Sequence, residues 1–571
     1  MALSIVLALP AAAQTAPAAP AAPTPGPAPA STAAPAAAPV VDMAARNAVT
    51  NAALPPAEAA MKAHVMFLAS DAMKGRDAGS PEYDIAAQYV ASQFYAAGLR
   101  PMGDEGSYLQ KVPLITVTAK DEGRFSYQPA KGAAVPMTFG KDYIPGTNPA
   151  NPATKVDGGI VFAGFGIVEP GIKRDDYAGV DVKGKIVLIF GGAPESLHPE
   201  LRAHFGSTAT KRAIAAAKGA AGVLIIEPNG SAKNAVFPRL AQGYKSPRVT
   251  WERNGVGFDP APQAPGLGMI SQAFAQTLFT GSKLAWADVV KGAESAETRF
   301  KATALPGRIS AAINTEWTPL PSSNVVGLLP GSDPKLKDEY VVLSAHLDHV
   351  GVGRAVNGDT IYNGAEDNAV GIASLIEEAK KFKASGQPPK RSILFLAVTA
   401  EEKGLVGAEY FANNPTVPKN AMVADVNLDM PIITYKFEDV IAFGADRSTL
   451  GPIVRKAAAS IGVGFSPDPM PEQGLFTRSD HYRFVQQGVP SVFLWPGQAG
   501  PGKAAVDDFF KNHYHKPSDE VWQMPALDWS QGVRFVDVNY AIAREIADGA
   551  ERPRWNKGDF FGLLYNGYGA K

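Results

Sequence analysis

The sequence predicts an α/β fold, a mostly parallel mixed sheet flanked by helices, interrupted by an inserted β-rich module. Three observations lead there. Beyond about residue 306, short apolar runs alternate with amphipathic helical segments, the pattern of a sheet covered on both faces. Residues 393–398 form an unbroken apolar run with the length of a strand buried on both faces, and it stops at two adjacent carboxylates, Glu401 and Glu402. Between residues 138 and 305 several more strands follow without a pair of residues spaced for catalysis. A chain of 571 residues is also too long for one ordinary core.

Residues 1–13 are short and apolar and end in small side chains, which resembles the core and cleavage site of a secretory signal, without its basic leading segment. Residues 14–41 are almost wholly Ala, Pro, Thr, Ser, Gly and Val and predict a disordered tether. With no cysteine for lipid attachment, a periplasmic or secreted product is expected. No stretch is long enough to span a bilayer as a helix.

Helical signals begin at Pro55. Residues 81–97 place Ala86, Val90, Phe94 and Ala97 on one face, and Gly98 is suited to end that helix. The loop 74–80 (Lys-Gly-Arg-Asp-Ala-Gly-Ser) reads as a turn. Residues 42–137 are assigned to the main domain, 138–305 to the insert and 306–571 to the main domain again.

Within the insert, residues 160–166, 185–190 and 221–226 predict strands and 209–218 a helix. Within the last segment, strands are expected at 324–329, 340–344, 392–399, 422–428 and 491–494. Helices are expected at 369–382 and 529–546. Ile372, Leu375, Ile376, Ala379 and Phe382 share one face of the first of these helices, and Glu377, Glu378, Lys380 and Lys381 are expected to face water.

Formal net charge is −1, which leaves no electrostatic footprint for nucleic acid. The absence of cysteine excludes disulfides, thiolate metal sites and a cysteine nucleophile. Any metal must be held by His, Asp and Glu, which suits zinc or a harder cation. Of eight histidines, His346, His349, His481, His513 and His515 cluster late in the chain, while His64, His198 and His204 fall outside every motif and read as surface or core residues.

Acids and histidines gather at the predicted strand ends: His346 and Asp348 after 340–344, Glu366 and Asp367 before the amphipathic helix, Glu401 and Glu402, then Asp429, then His515. If the strands are parallel neighbours, these groups share one edge of the sheet. Several carboxylates packed together repel unless a cation lies among them, so the constellation points to metal.

The succession His346-x-Asp348, Gly364-Ala365-Glu366-Asp367-Asn368, Glu401-Glu402, Asn427-Leu428-Asp429 and Tyr514-His515-Lys516-Pro517-Ser518-Asp519 resembles the di-zinc exopeptidases of clan MH. These include bacterial leucyl-type aminopeptidases and glutamate carboxypeptidase relatives. Segments 176–185 and 217–223 resemble the protease-associated domain, for which a lid role or a structural one is expected. The resemblance implies a zinc aminopeptidase-like fold with two Zn²⁺ per chain. His346 and Asp429 would hold one ion, Glu402 and His515 the other, and Asp367 would bridge them.

By the same resemblance Glu401 is the general base, and Asp348 supports the histidine ligand from behind. Tyr514 either donates to the oxyanion or packs as an aromatic. Arg478, in Arg478-Ser479-Asp480-His481, either contacts a substrate carbonyl or carboxylate or is a surface arginine beside a helix-capping Ser-Asp pair. His349 and His513 are expected to be supporting or structural. Glu366 precedes the bridging aspartate where many relatives carry another acid or a polar residue.

The implied function is a secreted or periplasmic exopeptidase, an aminopeptidase releasing apolar N-terminal residues from peptides. A carboxypeptidase or dipeptidase on the same core is the first alternative, and a non-catalytic peptide-binding homologue the second. Intact ligand positions disfavour the non-catalytic reading and, less strongly, a single-zinc glutaminyl cyclase.

Overall fold

The computed structural model describes residues 43–228, 236–295 and 299–571. The apolar segment 1–13 and the tether 14–41 lie outside the described residues. Nine strands make the main sheet. Its centre runs Ser322–Leu329, Ser392–Val398, Tyr340–His346, Met422–Leu428, Ser491–Pro496 and Asp439–Phe443. The four from Ser392–Val398 to Ser491–Pro496 are parallel, and their outer neighbours are antiparallel to them.

The strand Ser392–Val398 is buried at every position. Its side chains alternate between two cores as the period of two demands. Ile393 and Phe395 join Val341 and Leu343 beneath the helices Pro56–Leu68, Pro81–Ala96, Val370–Ala384 and Trp529–Asp548. Leu394, Leu396 and Val398 join Val342, Phe411 and Phe484 on the opposite face. Each fully buried Leu or Phe contributes roughly 2 to 3 kcal/mol, so neither face tolerates a slip of one residue.

The expected elements are present with shifts of a few residues at their ends, except that the strand expected at 160–166 runs over Ala153–Phe162. Ala86, Val90 and Phe94 are buried on the helix Pro81–Ala96, and Gly98 ends it at φ +76°. One expectation fails: Glu378 is fully buried, not solvated. The helix Val370–Ala384 is covered by Pro56–Leu68 as well as by Trp529–Asp548, so its dry face is wider than a single apolar stripe. Burial pushes the Glu378 carboxyl well above its usual range, which keeps it neutral in the core.

The second sheet has eleven strands and defines the insert. Parallel strands Ala153–Phe162, Ile186–Phe190, Gly222–Ile226 and Gly266–Ile270 form its centre. The long strand Thr303–Pro319 pairs with Ala153–Phe162, with Arg124–Gln128 and, near its end, with Leu114–Ala119. The second sheet therefore also takes in Leu114–Ala119 and the end of Thr303–Pro319, which lie outside the expected limits of 138 and 305. Its flanking strands alternate in burial like any half-buried strand, and only their distant partners reveal which sheet they join.

Among the described residues no helix is long and apolar enough to cross a membrane.

Candidate metal centre

Parallel register brings the site together. His346 is the last residue of its strand and lies opposite Val398, three residues before Glu401. Ser344 lies opposite Asn427, two residues before Asp429. Their following loops open at the carboxyl edge of the sheet. Left-handed backbone at Ala400 (φ 54°), Met430 (φ 47°) and His515 (φ 52°) turns the chain beside three of these groups. Such conformations cost a non-glycine residue about 1 to 2 kcal/mol and concentrate where geometry serves function.

Asp367 is the hub. Its Oδ1 lies 3.2 Å from His346 Nε2 and its Oδ2 3.3 Å from His515 Nε2. His346 Nε2 is also 3.0 Å from Asp429 Oδ1, and His515 Nε2 is 3.1 Å from Glu402 Oε2. The structure thus brings together His346, Asp367, Glu402, Asp429 and His515, the five positions expected to hold metal. His346, Asp367 and Asp429 form one group whose donor atoms lie within 4.8 Å of one another.

His349 is the surprise. Its Nδ1 is 2.8 Å from Glu402 Oε1, and with Asp367 and Glu402 it forms a second close donor group. A Cβ at Gly364 would come within 2.6 Å of the His349 ring, and Gly364 sits at φ +63°, so only glycine fits there. Each carboxylate oxygen of Glu402 therefore faces its own imidazole.

Electrostatics separate these groups by charge. Burial alone would lower the His346 imidazole, but Asp429, Glu401 and Asp367 raise it well above its ordinary value. Burial likewise opposes His515, which Glu402 and Asp367 lift to about 11. Burial would raise Glu402, yet His515 holds it at about 2. Glu401 is pushed well above the carboxylate range by burial and by Asp429 and Glu402 nearby.

This donor set fits divalent cations. It offers imidazole and carboxylate ligands and no thiolate, a set that zinc accepts. The buried Glu402 Oε1 and both His349 ring nitrogens make no hydrogen bond of sound geometry. Buried polar atoms left so are costly unless an ion completes them.

Asp348 corrects one expectation. His346 Nδ1 is held by the main-chain carbonyl of Asp348 at 3.1 Å, not by its carboxylate. The carboxylate instead accepts the backbone N–H groups of Glu401 and Glu402 at 3.0 and 3.3 Å. Burial raises its pKa to about 6.

Two supporting residues escaped the sequence reading. The Asp519 carboxylate accepts the backbone N–H groups of Glu366 and Asp367 at 2.8 and 3.0 Å, tying the His515 loop to the hub. The buried Arg76 guanidinium donates to the carbonyls of Leu68, Leu347, Asn363 and Gly364, joining the loops of His346 and Asp367. Glu366 itself turns away, accepting from Ile433 N and Gln523 Nε2 at 2.7 and 2.8 Å.

Ser479 donates to Asp429 Oδ2 at 2.5 Å and accepts from Asn427 Nδ2 at 2.6 Å. Neither Ser479 nor Asp480 caps the helix His481–Val485 through its side chain, so the capping pair expected beside Arg478 is absent. His513 Nδ1 bonds the Ser518 carbonyl at 2.9 Å, a structural role. His64, also outside the site, bonds Tyr89 and Glu377.

A cleft opens on the centre, lined by His346, Glu401, Asp429, Arg478 and Tyr514 with apolar walls that include Leu475 and Phe510. The Tyr514 ring stacks on His515 with centroids 3.9 Å apart, so it packs and borders the cleft at once.

The insert touches the segment that carries Leu475 of this cleft. Its helix Pro199–Gly206 lies against the segment 471–477: Arg202 donates to the Glu472 carbonyl at 3.1 Å, and Ala203 abuts Gly474. Glu200 pairs with Arg447, and His204 Nδ1 is 3.0 Å from the Tyr482 hydroxyl.

Known proteins are similar to parts of this chain. Residues 324–542 match the model of Peptidase family M28, and residues 150–257 match that of the PA domain. The resemblance read from the motifs is borne out. The chain is similar to leupeptin-inactivating enzyme 1 of Streptomyces exfoliatus, 30% identical over 210 residues, covering 35% of this chain and 43% of that protein. It is similar to aminopeptidase YwaD of Bacillus subtilis, 26% identical over 206 residues, covering 35% of this chain and 40% of that protein. The chain spans less than half the length of these curated relatives. Among solved structures, an aminopeptidase from Aneurinibacillus sp. strain AM-1 overlays with a TM-score of 0.46 at 20% identity, covering 87% of this chain and 95% of that one.

Proposed function

We propose that this protein is a zinc-dependent exopeptidase, an aminopeptidase that removes apolar residues from peptide N-termini. One observation carries the reading: two imidazole–carboxylate groups share Asp367, with the Glu401 carboxyl beside them in the same cleft. The M28 and PA matches support it. The apolar segment 1–13 and the tether after it support a periplasmic or secreted location.

His346 and Asp429 would hold one zinc ion, Glu402 and His515 a second, and Asp367 both. Bound there, zinc supplies Lewis acidity that makes a water nucleophilic near neutral pH and polarises the scissile carbonyl. The chain's own groups do the rest. Glu401, ionised once a cation beside it offsets Asp429 and Glu402, would take the proton of the attacking water on its carboxylate and return it to the leaving amine. The Tyr514 hydroxyl, kept protonated by burial and by Asp367 nearby, donates to the oxyanion as it forms. Asp348 fixes the backbone of Glu401 and Glu402, and Ser479 fixes the second oxygen of Asp429.

The test compares release from an N-terminally free leucyl anilide, its N-acetylated twin and a peptide blocked at its N-terminus and free at its C-terminus, with zinc counted per chain. Cleavage confined to the free leucyl substrate at two zinc ions per chain supports the reading. Cleavage confined to free C-termini replaces it with a carboxypeptidase on the same core, which the arginine in the cleft would suit.

A further inference from the structure

The turn that carries Glu401 and Glu402 is built from unfavourable backbone. Ala400 and Leu405 both sit in the left-handed region, at φ 54° and 61°, and Gly404 between them at φ 110°. The Glu401 carbonyl accepts the N–H groups of Gly404 and Leu405 at 2.8 Å, and the Ala400 carbonyl accepts that of Val406 at 2.9 Å. Non-glycine residues keep such backbone only where their surroundings over-determine it. Here those surroundings include the insert.

Trp251 lies on the strand Arg248–Arg253 of the second sheet, inside the segment that matches the PA domain. It is buried, and with Val249 and Leu114 of the same sheet it shares one apolar cluster with Ala400 and Val406, the two residues that bracket the turn. Its indole N–H donates to Glu409 Oε2 at 3.1 Å. The other oxygen of Glu409 pairs with Arg483 Nη1 at 3.1 Å, and Arg483 Nη2 donates to the Gly404 carbonyl at 2.8 Å.

Both Glu409 and Arg483 are buried. A buried guanidinium needs an anion, and Glu409 supplies it. With one oxygen on the indole and one on the guanidinium, Glu409 cannot swing toward either donor without leaving the other. The contacts thus run without a gap from the insert to the main chain of the turn.

We propose that Trp251 is a positioning residue for the Glu401–Glu402 turn, acting through Glu409 and Arg483. The insert then holds the proposed base and the adjacent proposed ligand in place although it lends neither of them a side chain. The roles of Glu401 and Glu402 rest on the exopeptidase reading above; the contacts do not.

The test uses the full chain. Trp251→Phe keeps a ring against Phe258 and Tyr410 and removes the indole donor. It should lower kcat by about tenfold with KM little changed. In the metal-free chain it should also speed hydrogen exchange in the peptide spanning residues 399–407. Glu409→Gln, which can no longer accept with both oxygens, should act the same way, and the double variant should be no worse than the more affected single one. Phe162→Leu, in the insert's other core, is the control: it lowers the melting temperature and leaves both readouts unchanged.

Wild-type exchange and kcat in Trp251→Phe overturn the proposal. So do losses that add in the double variant, and so does a Phe162→Leu chain that matches Trp251→Phe in both readouts. If the wild-type chain hydrolyses no peptide, the exopeptidase reading fails, and exchange in the metal-free chain still decides whether Trp251 holds the turn.

Discussion

The Asp348 carboxylate accepts the backbone N–H of Glu401 at 3.0 Å, and its second oxygen accepts that of Glu402 at 3.3 Å. A single buried acid therefore fixes both the proposed base and a proposed ligand through their main chain. Asparagine at this position can accept with only one oxygen and turns an N–H₂ toward the other N–H. Asp348→Asn should lower kcat by about 10- to 100-fold while both zinc ions stay bound, because His346 is held by the main-chain carbonyl of residue 348. Steady-state kinetics with metal analysis by mass spectrometry checks this; loss of one zinc ion would return the carboxylate to a role behind His346.

The two adjacent glutamates should separate cleanly. Glu401→Gln is expected to keep two zinc ions and lose about 10²- to 10⁴-fold in turnover. Glu402→Gln is expected to lose the ion it shares with His515. If Glu401→Gln sheds metal and Glu402→Gln does not, the assignments are reversed.

His349 and His515 face opposite oxygens of Glu402. If His515 is the ligand and His349 orients the carboxylate, His515→Ala abolishes binding of one zinc ion. His349→Ala then weakens the same ion by about 10- to 100-fold. Competition against a fluorescent chelator measures both, and the opposite ranking would make His349 the ligand.

Burial lowers the His204 imidazole to about 4, from an ordinary value of 6.5. Between those values the unfolded chain binds more protons than the folded one, so stability falls as pH drops from 6.5 toward 4. The shift is worth up to about 3 kcal/mol. His204→Phe, placed among Phe205, Phe560 and Phe561, removes this sensitivity. Thermal melts at pH 7 and pH 4.5 should show the wild type losing the larger share of its stability. Parallel losses in both proteins would assign the acid sensitivity elsewhere.

Much of the site was readable because its chemistry is written in side-chain types. Acids and histidines stand directly after apolar runs, and only parallel pairing was needed to bring them together. Arg76 and Asp519 stood inside quoted segments, but their roles were hidden for a physical reason: their partners are main-chain carbonyls and N–H groups, which every position carries. His349 could be named but not placed, since its relation to Glu402 depends on a loop turn at Gly364. The flanking strands of the second sheet were hidden because Leu114–Ala119 and Thr303–Pro319 meet across about two hundred residues, and pairing at that separation leaves no local trace.

The helix Pro199–Gly206 of the insert leans on the segment 471–477, which includes Leu475 and continues into Arg478 at the cleft. Two parts of the gene that lie far apart are thereby bound to a shared fate. A substitution that improves the fit of the insert alters the wall a peptide meets, and a change of diet in the cleft is felt in the insert. Inserts exchanged between homologues as cassettes should therefore work only when the residues opposite this helix travel with them, and the two regions should drift in step.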